Sequence, residues 1–249
     1  MIFRPYISDV ILDTQPGKDS YLYDLPVVQH LRTEKSLPIT NAVTFFVGEN
    51  GTGKSTLLEA IAVAYGFNAE GGTRNFNFST NQSHSELFKH LILAKSSYPK
   101  DGFFLRAESF YNAASYIDQI DREPSFQPPV VESYGGVSLH EQSHGESFLS
   151  LVQNRFGGEG LYLLDEPEAA LSPTRLFTLM VEMDRLVKKN SQFIIATHSP
   201  ILLAFPSAKI YEFFTDGIEA VPYESTEHYK VTKQFLENPE RMLKYLLEN

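Results

Sequence analysis

The sequence predicts an α/β domain whose central, mostly parallel sheet is flanked by helices. Three apolar runs carry this prediction, at residues 41–47, 161–164 and 192–197. Continuous apolar runs of this length are typical of strands that are buried on both faces of a parallel sheet. A helical pattern at residues 56–62 follows the first run, which is the strand-turn-helix order of such folds. The 249 residues suffice for one large domain.

The composition excludes several kinds of site and partner. The chain has no cysteine, which excludes disulfides, iron–sulfur clusters and cysteine-bound zinc. Its net charge of −10 argues against nucleic acid or an anionic membrane as the default partner, although a local basic patch could still bind nucleic acid directly. No apolar run of about 18 residues occurs, and the N-terminus lacks the apolar stretch of a signal peptide. We therefore expect a cytoplasmic protein with no membrane partner.

The turn between the first strand and its helix has a phosphate-binding pattern. Residues 48–55 fit G-x-x-x-x-G-K-[ST], a motif that works only between a strand and a helix. Lys54 is expected to be exposed in this loop and to reach the β- and γ-phosphates, while the Ser55 hydroxyl binds Mg²⁺. Backbone N–H groups and the helix N-terminus attract the phosphate oxygens. The predicted nucleotide-binding residues are Asn50, Gly51, Thr52, Gly53, Lys54, Ser55 and Thr56.

The other two apolar runs each end in polar residues. Asp165 and Glu166 follow residues 161–164, and His198 follows residues 192–197. Strand ends at the carboxyl edge of a parallel sheet face the ligand. Asp165 is suited to hold Mg²⁺ through water, and Glu166 is suited to polarise the water that attacks the γ-phosphate. His198 is interpreted as a γ-phosphate sensor at the same edge.

A second helix start also has the features of a phosphate site. Ser143 stands where a helix N-cap would be, with Glu146 three residues later, which is the capping-box pattern. The simpler interpretation is a cap alone. In the functional interpretation, Ser143 and Gly145 bind a phosphate at the helix N-terminus. Because one domain does not need two such ends for one nucleotide, this second end would bind the ATP of a partner.

The order of these motifs resembles the ABC-type ATPases, and within them the compact soluble branch related to RecF, SMC and DNA-repair ATPase heads. Residues 48–55 look like the Walker A motif and residues 161–166 like the Walker B motif with its catalytic glutamate. Residues 142–146 look like the signature motif, residues 170–172 like the D-loop, and His198 like the switch histidine. The resemblance covers about residues 40–215.

The resemblance implies a P-loop NTPase fold that uses ATP and Mg²⁺ and closes as an ATP-dependent homodimer. It implies catalytic roles for Lys54, Glu166 and His198. Three positions depart from the family pattern. His144 replaces the first glycine of the signature, and Ser172 replaces the D-loop aspartate, which puts the coupling of two sites in doubt. The Q-loop has no evident glutamine, and Glu108 looks like its substitute and a metal ligand.

The remaining segments are predicted from their patterns. Residues 2–12 and 20–31 are expected to form N-terminal antiparallel strands beside the nucleotide, and one of their aromatics could stack on adenine. These aromatics are Phe3, Tyr6, Tyr21 and Tyr23. Residues 66–82 are interpreted as a mobile loop over the site. A helix is expected at residues 83–95 and a buried strand at residues 102–107.

The chain is interpreted as a single ABC-type ATPase domain over residues 1–249, with a helical insertion at about 66–130. Within and after the insertion we expect a helix at 109–120 and a linker at 121–137. The C-terminal part is expected to hold strands at 208–214 and 217–221 and helices at 226–236 and 239–247.

Two classes of function remain open. In the first, the protein is an ATPase whose head-to-head dimer closes on ATP and opens on hydrolysis, in the service of an unknown protein partner, DNA repair or phage defence. In the second, ATP is a switch ligand of a regulatory or binding subunit with little hydrolysis. Glu166 favours the first class, because a pure switch needs no positioned base.

Overall fold

A computed structural model describes residues 3–73, 85–106 and 143–247. Its strands are β1 (Asp9–Leu12), β2 (Ser36–Pro38), β3 (Val43–Gly48), β4 (Leu91–Ala94), β5 (Asp101–Arg106), β6 (Gly160–Asp165), β7 (Gln192–Ala196), β8 (Lys209–Phe213) and β9 (Ile218–Ala220). Its α-helices are α1 (Pro26–Glu34), α2 (Lys54–Tyr65), α3 (His144–Arg155), α4 (Pro173–Val187), α5 (Pro200–Leu203), α6 (Glu227–Glu237) and α7 (Pro239–Leu247).

The central sheet has six strands in the order β5-β6-β7-β3-β8-β9. Every neighbouring pair is parallel except β8 and β9, which are antiparallel. All residues of β3, β6 and β7 are buried, as the continuous apolar runs predicted. Because these strands are parallel, Gly48, Asp165 and Ala196 end them at one edge of the sheet. The mostly parallel α/β fold is thus confirmed.

Helices cover both faces of this sheet, so two hydrophobic cores form. One core contains the buried faces of α1 and α2, and the other contains those of α3, α4 and α5. Helix α2 is buried almost all round, since it lies between the central sheet and the small sheet. The helix that carries the end of the phosphate loop is therefore held rigidly against the framework.

A second, three-stranded antiparallel sheet has the order β2-β1-β4. The antiparallel strand predicted within residues 2–12 is confirmed, because β1 is the central strand of this sheet. The strand predicted within residues 20–31 is wrong. This segment forms a short 3-10 helix at Tyr21–Asp24 and then α1. Pro26 occupies the first helical position, where a missing N–H costs nothing, and Val27, Val28 and Leu31 give α1 one buried face.

The helix predicted for residues 83–95 is also wrong over its described part. Residues Glu86–His90 form a 3-10 helix, and Leu91–Ala94 form β4, which pairs with β1. Leu87 and Leu91 are both buried, and their spacing fits a helix as well as a turn followed by a strand. Pairing with β1 decides between the two, because it satisfies the backbone of an otherwise unpaired edge.

The start of the predicted mobile loop belongs to the framework. Gly72 N donates to Phe104 O at 2.7 Å and Phe104 N donates to Gly72 O at 3.0 Å, so this part of the chain adds to the edge of β5. The rest of the loop, the helix at 109–120 and the linker at 121–137 lie outside the described residues. The extent of the helical insertion stays a prediction.

The C-terminal predictions are confirmed. Strands β8 and β9 and helices α6 and α7 lie where the patterns place them. None of the helices within residues 3–73, 85–106 and 143–247 is long and apolar enough to cross a membrane.

Candidate active site

The phosphate loop joins β3 to α2 through three glycines that the backbone requires. Gly48, Gly51 and Gly53 have φ angles of 141°, 83° and 95°, a region that side chains disfavour. A Cβ atom at Gly48 would collide with the carbonyl of Phe213, and one at Gly53 would lie 2.9 Å from Val27 Cγ1. The loop is thus a cradle of backbone at the N-terminus of α2, as phosphate binding needs.

Lys54 begins α2 and is 4% exposed, so the expectation of an exposed side chain is wrong. Its Nζ atom donates to Glu49 O at 2.8 Å, which folds the side chain back over the loop. Burial lowers the pKa of Lys54, while the charges of Glu166, Asp165 and other nearby carboxylates oppose that change. The ammonium therefore lies among the acidic residues that end β6.

The other loop residues have the arrangement that the motif predicts. Thr52 is buried, and its hydroxyl donates to Glu49 O at 2.8 Å, which closes the turn. Ser55 and Thr56 are half-buried in the first turn of α2, while Asn50 and Gly51 are exposed at the tip. The residues predicted to bind the nucleotide phosphates are therefore contiguous at the helix N-terminus.

Asp165 ends β6 and is 7% exposed. Its Oδ2 atom lies 3.5 Å from Arg106 Nε at the end of β5. Arg106 Nη1 also donates to Glu59 Oε2 at 2.6 Å, and Glu59 Oε1 accepts from Ser85 N at 2.8 Å. Arg106 thus links the carboxylate predicted to hold Mg²⁺ to helix α2. No local sequence pattern predicts this link, because the three side chains come from distant segments.

Glu166 and His198 come together from neighbouring strands. Glu166 Oε1 lies 3.7 Å from His198 Nε2, and both side chains are partly exposed. Glu166 has a left-handed backbone with φ 49°, and its N–H donates to Ala196 O at 2.9 Å. This unusual conformation turns the carboxylate out of the strand at the sheet edge. The predicted pairing of the two residues at one edge is what the structure contains.

Two further residues, Glu168 and His228, belong to this edge but were not predicted. Glu168 accepts from Thr197 Oγ1 at 2.8 Å and from His198 N at 2.5 Å. Burial raises the pKa of Glu168, and the charge of Glu166 raises it further. Glu168 thus holds the backbone of residues 197 and 198 in place and so helps to position the His198 side chain. Its position two residues after Glu166 was the only available signal.

His228 comes from α6, 30 residues after His198 in the chain. His198 Nδ1 and His228 Nε2 are 3.0 Å apart. Burial lowers the pKa of His198, the nearby Lys54 and His228 lower it further, and Glu166 and Glu49 oppose this change. No local sequence pattern marks His228, because only the fold brings α6 to the sheet edge.

The second helix start has the predicted cap. Ser143 and Glu146 form a capping box, in which Ser143 N and Oγ donate to Glu146 Oε2 at 3.1 and 2.6 Å. The hydrogen bond from Ser143 Oγ has the largest effect on the pKa of Glu146, which it lowers. The bond from Ser143 N and the charge of Arg175 lower this pKa further. Ser143 and His144 are exposed at the helix N-terminus. A phosphate from another molecule can therefore reach this end of α3.

Gly145 has a different environment from its neighbours. It is buried, and a Cβ atom there would lie 2.9 Å from Ala170 O and would collide with Arg175. Arg175 also donates to Ser143 Oγ at 3.2 Å and to Glu146 Oε1 at 3.0 Å. Gly145 is thus the point where α3 approaches residues 170–172, of which Ser172 occupies the N-cap position of α4. The signature-like and D-loop-like segments are in direct contact.

The candidate aromatics for adenine differ in accessibility. Tyr6 is buried, and its hydroxyl donates to Asn190 O at 2.8 Å beyond the far end of β7, so it is not at the nucleotide edge. Tyr23 lies under Arg32, whose guanidinium carbon is 4.3 Å from the ring centroid. Tyr21 is 64% exposed. Glu108, the expected Q-loop substitute and metal ligand, lies outside the described residues.

The donor set suits ATP and Mg²⁺. Mg²⁺ prefers oxygen ligands and is usually bound through one or two carboxylates together with phosphate oxygens. Ser55 and Asp165 offer a hydroxyl and a carboxylate beside the loop, and Lys54 offers a cation for the phosphates. This edge can therefore hold a magnesium-bound nucleotide with Glu166 and His198 at its outer side.

The chain is similar in sequence to known nucleotide-binding families. A family profile described as "AAA domain, putative AbiEii toxin, Type IV TA system" matches residues 130–204, and one described as "AAA domain" matches residues 28–115. The Ribose import ATP-binding protein RbsA of Bacillus cereus is 25% identical over 174 residues, which are 64% of this chain and 35% of that protein. The Retron Vc95 probable ATPase of Vibrio cholerae is 30% identical over 113 residues, 39% of this chain and 22% of that protein. The chain thus spans well under half the length of either relative.

Two solved structures with a similar fold come from ABC transporters. The cbiO1 protein of Clostridium perfringens, part of the ABC transporter complex cbiONQ, has a TM-score of 0.53 at 16% identity, covering 98% of this chain and 100% of that chain. A putative metal-chelate type ABC transporter has a TM-score of 0.51 at 13% identity, covering 92% and 88% of the two chains. At these identities the likeness establishes the fold.

Proposed function

We propose that the chain is an ABC-type P-loop ATPase that hydrolyses Mg-ATP as a homodimer closed by ATP, and the two AAA-domain matches and the similarity to RbsA support this. The observation that carries the proposal is the meeting of Lys54, Asp165, Glu166 and His198 at the carboxyl edge of one sheet. The two carboxylates without the glycine-rich loop would indicate only a metal site. The glycine-rich loop without the carboxylates would indicate only a turn between a strand and a helix. Together they supply what phosphoryl transfer requires.

The phosphate loop and Lys54 bind the nucleotide. Backbone N–H groups of residues 50–56 at the N-terminus of α2 donate to the phosphate oxygens, and the Lys54 ammonium reaches the β- and γ-phosphates. Ser55 and Asp165 would hold Mg²⁺, which would neutralise part of the negative charge of the phosphates. When the nucleotide binds, the Lys54 ammonium gives up its hydrogen bond to Glu49 O and donates to the phosphates instead.

Glu166 acts on the attacking water. Its carboxylate accepts the water proton while the water oxygen bonds to the γ-phosphorus and the bond to the bridging oxygen of ADP breaks. His198, 3.7 Å from Glu166, donates from Nε2 to the γ-phosphate. The left-handed backbone of Glu166 is the kind of local strain that active sites retain.

A second copy of the chain completes the site. Ser143, which is exposed at the N-terminus of α3, binds the γ-phosphate of the partner's ATP, and the buried Gly145 contributes only its N–H, which the first turn of a helix leaves without a helical partner. The pair is isologous, so each nucleotide is shared by both subunits and its binding energy stabilises the dimer. The direct contact of Gly145 with Ala170 links this surface to residues 170–172.

A second candidate is an ATP switch with little hydrolysis. The observation in its favour is His144, where the family has glycine, because this exposed side chain could hinder closure over a partner's phosphate. Phosphate release by the purified protein with Mg-ATP separates the two candidates. Turnover that is lost in Glu166→Gln supports the enzyme, and no turnover above the Lys54→Ala background supports the switch.

The dimer has its own test. Glu166→Gln should accumulate as a dimer in Mg-ATP and return towards monomer in ADP, as measured by size-exclusion chromatography with light scattering. Adding Ser143→Arg should prevent the dimer without preventing ATP binding, whereas Ser96→Arg, on an exposed surface residue, should not. One mass in both nucleotides would reject the shared site and leave the ATPase proposal standing.

The pathway that this ATPase serves is proposed as defence against phage or DNA maintenance, through a protein partner. The descriptions "putative AbiEii toxin, Type IV TA system" and "Retron Vc95 probable ATPase" belong to the matching family and relative and favour defence. The protein is proposed to act in the cytoplasm. A pull-down from the native cell with Glu166→Gln trapped by ATP identifies the partner, and recovery of transport proteins instead would contradict this assignment.

A further inference from the structure

The ring of His198 is held between two different groups. Nε2 faces Glu166, whose Oε1 is 3.7 Å away, and Nδ1 faces His228 Nε2 at 3.0 Å. The two imidazole centroids are 5.1 Å apart and the rings are inclined by 48°. The neighbour of Nδ1 is therefore another imidazole, in the place where a carbonyl or carboxylate more often orients a functional histidine.

The position of His228 is fixed by the start of α6. Thr226, which is fully buried, caps the helix by accepting from Tyr229 N at 3.3 Å, and its own hydroxyl donates to Tyr223 O at 2.8 Å. Glu227 N donates to Glu212 Oε1 on β8 at 2.9 Å. These bonds anchor the first turn of α6 on both sides of His228, so the imidazole is presented to His198 by a rigid support.

The hydrogen bond between the two rings decides where His198 carries its proton. Burial holds the pKa of His198 below its usual range, so near pH 7 the ring is neutral and has a single N–H. If His228 donates from Nε2, His198 accepts at Nδ1 and carries its proton on Nε2. If His198 donates instead, Nε2 is left with only a lone pair.

The surroundings favour the first arrangement. A carboxylate and a phosphate can only accept hydrogen bonds, and both belong on the Nε2 side of His198. Glu166 is already there. An Nε2–H faces these acceptors favourably, whereas an Nε2 lone pair would oppose them.

We propose that His228 is a positioning residue, whose Nε2–H donates to Nδ1 of His198 and holds His198 as the Nε2–H tautomer that can donate to the γ-phosphate. The proposal rests on the proposed function for the role of the γ-phosphate, but the tautomer itself does not depend on turnover. No proton is gained or lost by the pair. The α6 helix thereby becomes part of the support of the active site.

The test compares two substitutions of His228. His228→Gln keeps an N–H donor at about the place of Nε2, and His228→Phe keeps a ring to pack against His198 but no donor. We expect kcat to fall roughly ten- to a hundredfold in His228→Phe, as for other residues that orient a functional histidine, and to be largely restored in His228→Gln. KM for ATP should change little in both. His90→Gln, at a distant histidine bonded to Thr14, is the matched control.

A second readout is independent of hydrolysis. In protein labelled with ¹⁵N-histidine, long-range ¹H–¹⁵N spectra identify the tautomer of His198, assigned by its loss in His198→Gln. We expect Nε2–H in the wild type and in His228→Gln, and a mixture in His228→Phe. An Nδ1–H wild type, an unchanged tautomer in His228→Phe, or His228→Gln as slow as His228→Phe would overturn the proposal. A wild type without turnover but with the expected tautomers would instead reject the proposed function.

Discussion

Arg106 Nε lies 3.5 Å from Asp165 Oδ2, and the same guanidinium donates to Glu59 through Nη1 at 2.6 Å. The two carboxylates are 8% and 10% exposed in their side chains, so the Arg106 guanidinium compensates charges that are nearly buried. This ion-pair network connects β5, β6 and α2, and it includes Asp165, the carboxylate that is proposed to hold Mg²⁺. The network therefore both positions Asp165 and stabilises the fold.

Replacing Arg106 should therefore destabilise the protein. Arg106→Gln removes the charge and leaves Glu59 and Asp165 to repel each other, at a cost of roughly 1–3 kcal/mol after allowance for the partial exposure of the arginine. Urea unfolding measures it. Lys188→Gln breaks an exposed pair with Asp184 and should cost at most about 0.5 kcal/mol. Equal effects of the two substitutions would contradict a special role for Arg106.

Gly145→Ala should disturb the contact between α3 and residues 170–172. The added methyl would lie 2.9 Å from Ala170 O, a backbone atom that cannot rotate away. We expect a loss of roughly 1–3 kcal/mol in the free energy of unfolding. Gly17→Ala is the control, because nothing lies within 4 Å of its Cβ position. If Gly145→Ala unfolds with the same free energy as the wild type, the contact between α3 and residues 170–172 has room for a methyl group, which would contradict this prediction.

Asp101 should contribute stability that is lost in acid. Burial by itself raises the pKa of Asp101, but the hydrogen bonds from Gly157 N and Tyr162 Oη and the charge of Arg155 outweigh it, so the pKa is lowered. A lowered folded-state pKa gives stability that is present above the unfolded pKa of about 3.9 and is lost as the pH falls through the folded pKa. Unfolding free energies of the wild type should therefore fall more steeply below about pH 4 than those of Asp101→Asn. Parallel curves would contradict this.

The sequence predicted the centre of the site better than its support. Residues 48–55, Asp165, Glu166 and His198 have local signals, because each follows an apolar run that is typical of a buried strand. His228, Arg106 and Glu59 act through contacts between distant segments, which no local pattern contains. The segments at 20–31 and 86–94 were misassigned for a related reason, since tertiary pairing and packing decided between two structures that their patterns allow equally.

Lys54→Ala should abolish ATP binding without unfolding the domain. The ammonium lies among carboxylates and donates to Glu49 O, so its loss removes attraction for phosphate more than it removes packing. Isothermal titration calorimetry with Mg-ATP measures the affinity, and circular dichroism checks the fold. Lys18→Ala, at an exposed lysine, is the control. A folded Lys54→Ala protein that binds ATP with wild-type affinity would contradict the proposed role of the phosphate loop in ATP binding.

The proposed action of Glu166 on the attacking water is tested most directly by the phosphate-release rate of Glu166→Gln at saturating Mg-ATP. The amide keeps the size of the side chain but lacks its negative charge and basicity. ATP should therefore bind as in the wild type, while kcat should fall by roughly 10²–10⁴, the effect of losing a general base. Turnover within about twofold of the wild type, with ATP bound equally well, would contradict the mechanism.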